Sequence, residues 1–279
     1  MSLTIAEALK QATTQLQAVS DSARLDAEVL LAHVLKKDRV HFLTWPEKPI
    51  SELTYKVFLD LVNRRVEGEP IAYIIDQQEF WSIKLRVTPD TLIPRPETEL
   101  LVLEALNLLK EDERYKIADL GTGSGAIAIA IASERPLCTV IGIDQSRMAV
   151  KVADRNAASL GLKNVTIRQG DWLTDFADHS LDMIVTNPPY VAENDPHLAE
   201  GDVRFEPSSA LLAGPEGMNE YRKIIPEAVR CLKKHGWILL EHGYDQQDKL
   251  LDLLTAEGFT EARGIKDYAG QPRVIIAHT

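Results

Sequence analysis

Asn187-Pro188-Pro189-Tyr190 follows the apolar run Met183-Ile184-Val185. Such a run reads as a central strand buried on both faces. The prolines lack an N–H and fix φ at about −65°, so the strand must end at Asn187, which the following proline keeps extended. The Asn187 and Pro188 carbonyls are then left without ladder partners, beside the Asn187 side-chain carbonyl. A rigid cluster of acceptors suits a planar NH2 group. Two acceptors on its two hydrogens fix its plane and favour the positive charge that grows on nitrogen as it attacks an electrophile. Tyr190 supplies a flat aromatic wall for the same group. Taken alone, the tetrapeptide also fits a stiff turn with a packed tyrosine.

The elements upstream give the motif a context. A helical run over residues 99–110 precedes the strand Lys116-Ile117-Ala118-Asp119-Leu120, which runs into Gly121-Thr122-Gly123-Ser124-Gly125-Ala126 and a helix over 127–133. Strand, glycine-rich turn and helix in that order form a nucleotide-binding crossover, because the glycines admit a ligand close to the backbone and the helix N–H groups face it. A second β-rich run, Thr139-Val140-Ile141-Gly142-Ile143, ends at Asp144, where a carboxylate can take both hydroxyls of a ribose. Asp144 also fits the cap of the next helix. A helix over 148–160, closed by Gly161, leads to Val165-Thr166-Ile167-Arg168 and to Gly170-Asp171-Trp172, a pair able to meet the amine and one face of an adenine. Trp172 equally fits a core position.

All of these residues fall at strand carboxyl ends, where ligands sit in an open α/β sheet. After Tyr190 a polar loop over 191–215 carries Gly201-Asp202-Val203-Arg204-Phe205-Glu206-Pro207 and His197, which nothing in the sequence pairs with a carboxylate. A helix over 219–234, a strand over 237–241, a helix over 246–257 and extended runs over 260–265 and 273–278 complete an α/β sheet with an antiparallel end.

Residues 1–75 read as a small helical bundle, with Leu3, Ala6, Leu9, Ala12 and Leu16 at helical spacing, and Leu25, Val29, Ala32 and Leu35 likewise. A third helix follows Ser51 as N-cap, with Leu53, Val57, Leu61 and Val66 near one face and Gly68 at its end. His33 and His41 are lone histidines, and by elimination this domain docks a partner. Residues 76–96 read as a linker hairpin. Ile83, Leu85 and Val87 alternate with polar residues, Pro89-Asp90-Thr91 turns the chain, and residues 93–97 either form a wall of the cleft or only fix how the domains join. Residues 97–279 form the main domain.

A chain of 279 residues has room for both domains, and its formal charge of −11 argues against a broad basic face for a nucleic-acid backbone. Cys138 and Cys231 are far apart, without CxxC spacing or clustered histidines, so neither a disulfide framework nor a metal site is expected. No segment reads as a signal peptide or a membrane span, which places the chain in the cytoplasm. A monomer that engages neither membrane nor nucleic acid is expected.

Asp119-x-Gly121-x-Gly123-x-Gly125, Asp144, Gly170-Asp171-Trp172 and Asn187-Pro188-Pro189-Tyr190 together resemble an S-adenosylmethionine-dependent methyltransferase that modifies amino groups. The helical N-terminal domain, Leu92-Ile93-Pro94-Arg95-Pro96-Glu97-Thr98-Glu99 and the segment from Gly201 to Pro207 are similar to the bacterial release-factor glutamine methyltransferases, the HemK family. The match covers nearly the whole chain. It implies a Rossmann-like methyltransferase sheet and methyl transfer from S-adenosylmethionine to the side-chain amide of the glutamine in the Gly-Gly-Gln tripeptide of class I peptide chain release factors. It also implies that Gly121, Thr122, Gly123, Ser124 and Gly125 line the methionine and ribose, Asp144 binds the ribose hydroxyls and Trp172 lies on the adenine. Asn187 and Pro188 would hold the glutamine amide beside Pro189, with Tyr190 packed on it, and no metal would be needed.

A ribosomal-protein glutamine methyltransferase would share most of these motifs. A DNA adenine methyltransferase would use Asn-Pro-Pro-Tyr on a flipped base but would call for a basic surface. A nicotinamide dehydrogenase fits Gly121-x-Gly123-x-x-Ala126 yet leaves Trp172 and Asn187 to Tyr190 unexplained. A binding module that keeps only the cofactor fold has no use for intact acceptors at every motif position.

Overall fold

The computed structural model describes residues 3–199 and 201–279, and the chain divides into two units. The first holds the residues up to Gln77 together with 197–205. It contains α1 (Ile5–Leu16), α2 (Ala23–Leu35), α3 (Arg39–Thr44), α4 (Glu52–Val66) and α5 (Ile71–Ile74). Thr4 starts α1 with a capping box, its hydroxyl accepting the Glu7 N–H while the Glu7 carboxylate accepts the Thr4 N–H. Ser51 caps α4 as its sequence predicts.

The apolar face of α4 is not the expected one. Phe58 and Val62 are fully buried, whereas Leu53 is 74% and Val57 43% exposed, so the core-facing stripe is rotated away from the Leu53, Val57, Leu61, Val66 set. Spacing alone gives two interleaved stripes on this helix, and packing against α1 and α2 selects the one that carries the phenylalanine. Arg65 joins Asp26 of α2 at 2.9 Å and Asp202 at 2.8 Å, an ion-pair set that the sequence does not announce.

The second unit spans residues 78–196 and 206–279. It opens with a hairpin of β1 (Gln78–Phe80) and β2 (Ile83–Leu85), which turns at Trp81-Ser82 and not at Pro89-Asp90-Thr91. Both turn residues have positive φ, 52° and 57°, the geometry of a two-residue turn that usually takes Asn-Gly. Tethers hold it here: the Trp81 N–H donates to Glu99 at 2.8 Å and the indole to Glu134 at 2.9 Å. Pro89 to Thr91 form a separate turn, closed by the Thr91 N–H on the Thr88 carbonyl.

The chain continues through α6 (Glu99–Leu108), β3 (Lys116–Leu120), α7 (Ala126–Glu134), β4 (Thr139–Asp144), α8 (Arg147–Ser159), β5 (Val165–Gln169), β6 (Leu181–Thr186), α9 (Asn219–Cys231), β7 (Leu232–Glu241), α10 (Gln247–Ala256), β8 (Thr260–Lys266) and β9 (Pro272–His278). Seven strands form one sheet in the order β5-β4-β3-β6-β7-β9-β8, with β9 antiparallel to both neighbours. Alternate residues serve opposite faces. Ile117, Val140, Met183, Val185 and Leu239 pack on one side with α6 and α7, and Ala118, Leu120, Ile184, Ile238 and Leu240 on the other with α9 and α10.

The helix over 219–234 is shorter than expected, because β7 already begins at Leu232. The first half of β7 is polar, its pairing with β6 shifts register between Leu181 and Met183, and it passes through His235 at φ 63°, so it reads in sequence as a helix tail.

Order reverses between β3 and β6. The chain moves outward from β3 through β4 to β5, then returns to the other side of β3, leaving a crevice beyond the carboxyl ends of β3 and β6. The glycine turn sits at its mouth. Gly125 caps α7 with φ +85°, and a Cβ there would lie 3.0 Å from Ile129 Cδ1 and 3.1 Å from Ala153 Cβ. Gly125→Ala should therefore destabilise the chain by about 1–3 kcal/mol, seen as a lower melting temperature; an unchanged melt would show that the turn relaxes freely.

Candidate active site

The crevice is a cleft lined by Gly121, Gly123, Asp144, Trp172, Asn187 and Pro189 among others. Asp90, Thr91 and Leu92 supply another wall, and Pro207, Ser209 and Ala210 come from the long loop. The wall from the linker is thus residues 90–92 and not 93–97. Ile93 and Arg95 instead hold Glu206: the Ile93 N–H donates to Glu206 Oε1 at 3.3 Å and Arg95 pairs with Oε2 at 2.7 Å. Glu206 ties the 93–97 segment to the base of the loop, a structural role for both.

Asp144 ends β4 with its carboxylate turned to the glycine turn. It accepts the Gly123 N–H at 2.9 Å and the Ser146 N–H at 2.8 Å. Burial raises its pKa, and these two N–H groups oppose the rise. Trp172 stands across the cleft with φ 45°, its indole donating to Glu220 at 3.0 Å. Its ring edge lies 3.4 Å from where a Gly121 Cβ would be, so a side chain at Gly121 would narrow the cleft against the indole.

Thr122 and Ser124 are buried under the turn and do not line the cleft. Thr122 donates to Asp119 Oδ2 at 2.6 Å, and Ala128 N–H donates to the same oxygen at 3.0 Å. Asp119 is fully buried, and its Oδ1 has no hydrogen-bond partner. Burial pushes its pKa up to about 7, with the Asp144 charge adding and the two hydrogen bonds opposing. Folded chains then hold a proton that unfolded chains release above their ordinary value of 3.8, so ionising Asp119 costs stability as pH rises towards about 7. Asp119→Asn keeps both hydrogen bonds if its oxygen takes the Oδ2 place. Denaturation at pH 5 and pH 8 should show the variant gaining on the parent chain at the higher pH; a pH-independent difference would mean that Asp119 does not titrate in this window.

Asn187 and Pro188 leave β6 as expected. No hydrogen bond to either backbone carbonyl is found among the described residues. The Asn187 amide donates from Nδ2 to Thr98 Oγ1 at 3.2 Å, which leaves Oδ1 as an acceptor at the cleft wall. Pro188 is buried, and Pro189 reaches the cleft. Tyr190 lies behind this wall and not among the lining residues, packed on the core cluster of Leu120, Ile184 and Tyr221. Burial pushes its phenol up to about 12, Glu241 adding to the shift and Arg273 opposing it.

Several supporting residues carry no motif in sequence. Gln246 donates to the Tyr190 carbonyl at 2.9 Å and the Gly217 carbonyl at 3.2 Å while accepting the Gly243 N–H, fixing the exit of the motif. Asn156 bonds the Ser124 carbonyl at 2.8 Å and both backbone groups of Arg86, anchoring the glycine turn from α8. An asparagine on the apolar face of a helix is the signal that marks it. The side chain of His197 lies outside the described residues. Among the described residues no group of three or more His, Cys, Asp and Glu is placed to hold a metal, and no helix is long and apolar enough to cross a membrane. Both cysteines are free and buried.

Solved structures share this fold. A methyltransferase from Pyrococcus furiosus superposes with a TM-score of 0.52 at 18% identity, covering 77% of this chain and 96% of that one. M. jannaschii TYW2, solved in complex with AdoMet, gives 0.50 at 15% identity over 72% and 84%. The sheet order, the glycine turn at the switch point and the cleft at its carboxyl edge are those of the Rossmann-like methyltransferase fold. Residues 7–75 match the PrmC N-terminal domain and residues 98–213 the methyltransferase small domain. Release factor glutamine methyltransferases of Coxiella burnetii (46% identity, 99% of each chain), Vibrio cholerae (49%, 99% of this chain and 97% of that one) and Escherichia coli (45%, 96% of each) align along nearly their full lengths. The chain belongs to the release factor glutamine methyltransferase family.

Proposed function

We propose that this chain methylates the side-chain amide of the glutamine in the Gly-Gly-Gln tripeptide of class I peptide chain release factors, with S-adenosylmethionine as donor. The observation that carries the reading is the acceptor set at the end of β6: Asn187 Oδ1 and the unbonded Asn187 and Pro188 carbonyls beside a cleft already lined by Gly121, Gly123, Asp144 and Trp172. The cleft fits the donor on its own chemistry. A half-buried carboxylate at a strand end suits a ribose diol, glycines admit a ligand close to the backbone, and an indole edge faces the same space.

Bound S-adenosylmethionine supplies an electrophilic methyl on a cationic sulfonium. An amide nitrogen is a poor nucleophile because its lone pair is delocalised into its carbonyl. What the residues of this chain add is orientation: Asn187 Oδ1 and the Pro188 carbonyl take the two N–H hydrogens, fix the amide plane and stabilise charge growing on nitrogen. Pro188 and Pro189 hold these acceptors without a backbone donor that would compete for them. Tyr190 braces the turn from behind, its carbonyl held by Gln246.

The test is transfer of labelled methyl to a purified release factor, to the same factor with the tripeptide glutamine changed to alanine, and to adenine-containing duplex DNA. Label on the intact factor alone is expected. Label on DNA, or on the altered factor as strongly as on the intact one, would overturn the substrate. A ribosomal protein presented in parallel separates the related glutamine-modifying reading.

A further inference from the structure

Glu241 ends β7 beside the motif, since Leu240 pairs with Thr186, the residue before Asn187. Its side chain is 1% exposed, and Oε2 has no hydrogen-bond partner. A buried carboxylate left half satisfied is costly, and nothing in the amide chemistry described above uses it. The groups that face it are the Thr98 hydroxyl, the Asn187 amide, the Arg273 guanidinium and the Glu97 carboxylate, with the Tyr190 phenol close enough to feel its charge. Tyr221 donates to the Glu241 backbone carbonyl at 2.7 Å.

Resting on the glutamine reading, we propose that Glu241 is a positioning residue that fixes which way the Asn187 amide faces. An asparagine amide is nearly symmetric in shape, and turned over it would present the NH2 donor of Nδ2 to an incoming NH2 group. Donor would then meet donor and the acceptor set would lose Oδ1. An ionised carboxylate offers acceptors only, so it repels Oδ1 and attracts Nδ2. Thr98 works in the same sense: its hydroxyl oxygen accepts from Nδ2 at 3.2 Å, and its proton is free to go to Glu241. With Nδ2 bonded to Thr98 and drawn towards Glu241, Oδ1 is left for the cleft. Burial pushes the Glu241 carboxyl up to about 7, Thr98, Arg273 and Asn187 working against that rise and Glu97 with it. The lock therefore strengthens as pH passes through neutrality.

The decisive variant is Glu241→Gln. It keeps the shape but can donate as well as accept, so it releases the amide. With the release factor as substrate, kcat should fall at least about tenfold, less than for Asn187→Ala, while KM and the cofactor Kd stay within about threefold. Its melting temperature should equal or exceed that of the parent, since a buried charge is removed; a purely structural role predicts the reverse pairing, lower stability and intact kcat. In an Asn187→Ala background the same change should alter the rate less than about twofold.

A readout without turnover separates this inference from the substrate reading. The Asn187 side-chain NH2 signals, identified by their loss in Asn187→Ala, should exchange slowly with solvent in the parent chain and faster in Glu241→Gln and Thr98→Val. Unchanged exchange, or parental kcat in a folded Glu241→Gln, would overturn the proposal. If the parent chain fails to label the release factor, the substrate reading falls, and the exchange result still decides whether Glu241 holds Asn187.

Discussion

Asn187→Ala is expected to lower the rate of methyl transfer to the release factor by about 100-fold or more, while the Kd for S-adenosylmethionine moves only a few-fold. The side chain contributes a single acceptor, Oδ1, and the bond from Nδ2 to Thr98 holds Nδ2 away from the amide. An acceptor aimed at charge that appears only as the bond forms acts on the transition state and hardly at all on the ground state. The backbone carbonyls of Asn187 and Pro188 survive the change, so activity should not vanish. The fold should survive too, since the residue is partly exposed and its removal leaves only the Thr98 hydroxyl and the Glu241 carboxylate short of a donor. Single-turnover rates at saturating cofactor, with Kd measured separately by calorimetry, check both halves. Parallel losses of similar size would show that Asn187 serves the cofactor and not the amide.

What was legible in the sequence shares one property: the residues that carry it have no alternative conformation. Pro188 and Pro189 end β6 where they must, and β3 has the bounds that the glycine turn after Leu120 imposes. Asp144 and Trp172 reach the cleft because a parallel sheet brings all its strand ends to one edge. The hairpin turn is hidden in the sequence for the opposite reason. Its turn at Trp81-Ser82 owes its positive φ angles to partners far along the chain, Glu99 and Glu134, which no local pattern reveals. The buried face of α4 is hidden in the sequence because Leu53, Val57, Leu61 and Val66 are as apolar as the Phe58 and Val62 that the bundle buries.

The supporting polar groups were illegible for a related reason. Glu241 looks like the ordinary polar end of a strand, and Gln246 and Thr98 look like helix starts; each acquires its role only when strand ends and helix starts converge. Residues 93–97 were drawn towards the cleft by their motif. The chain instead places Asp90 to Leu92 there and uses Arg95 and the Ile93 N–H to hold Glu206. A motif marks which residues matter before it says what they touch.

Trp172→Ala is expected to weaken S-adenosylmethionine binding by about tenfold to a hundredfold, the worth of one aromatic face against a base, and to leave kcat at saturating cofactor within a few-fold. The indole is well placed for this. Its Nε1–H is spent on Glu220, so the ring is held edge-on to Gly121 and only its apolar surface is offered to the cleft. The residue also packs against the Ile143 and Leu173 core, so part of any loss in the alanine variant comes from a loosened wall. Trp172→Phe separates the two effects. A phenyl ring keeps a flat face but cannot donate to Glu220, so it should recover much of the affinity if stacking dominates. If Phe binds as weakly as Ala, the indole's value lies in its anchor on Glu220. If Ala binds the cofactor as the parent chain does, Trp172 is a core residue that happens to border the cleft, and the adenine lies elsewhere along the carboxyl edge.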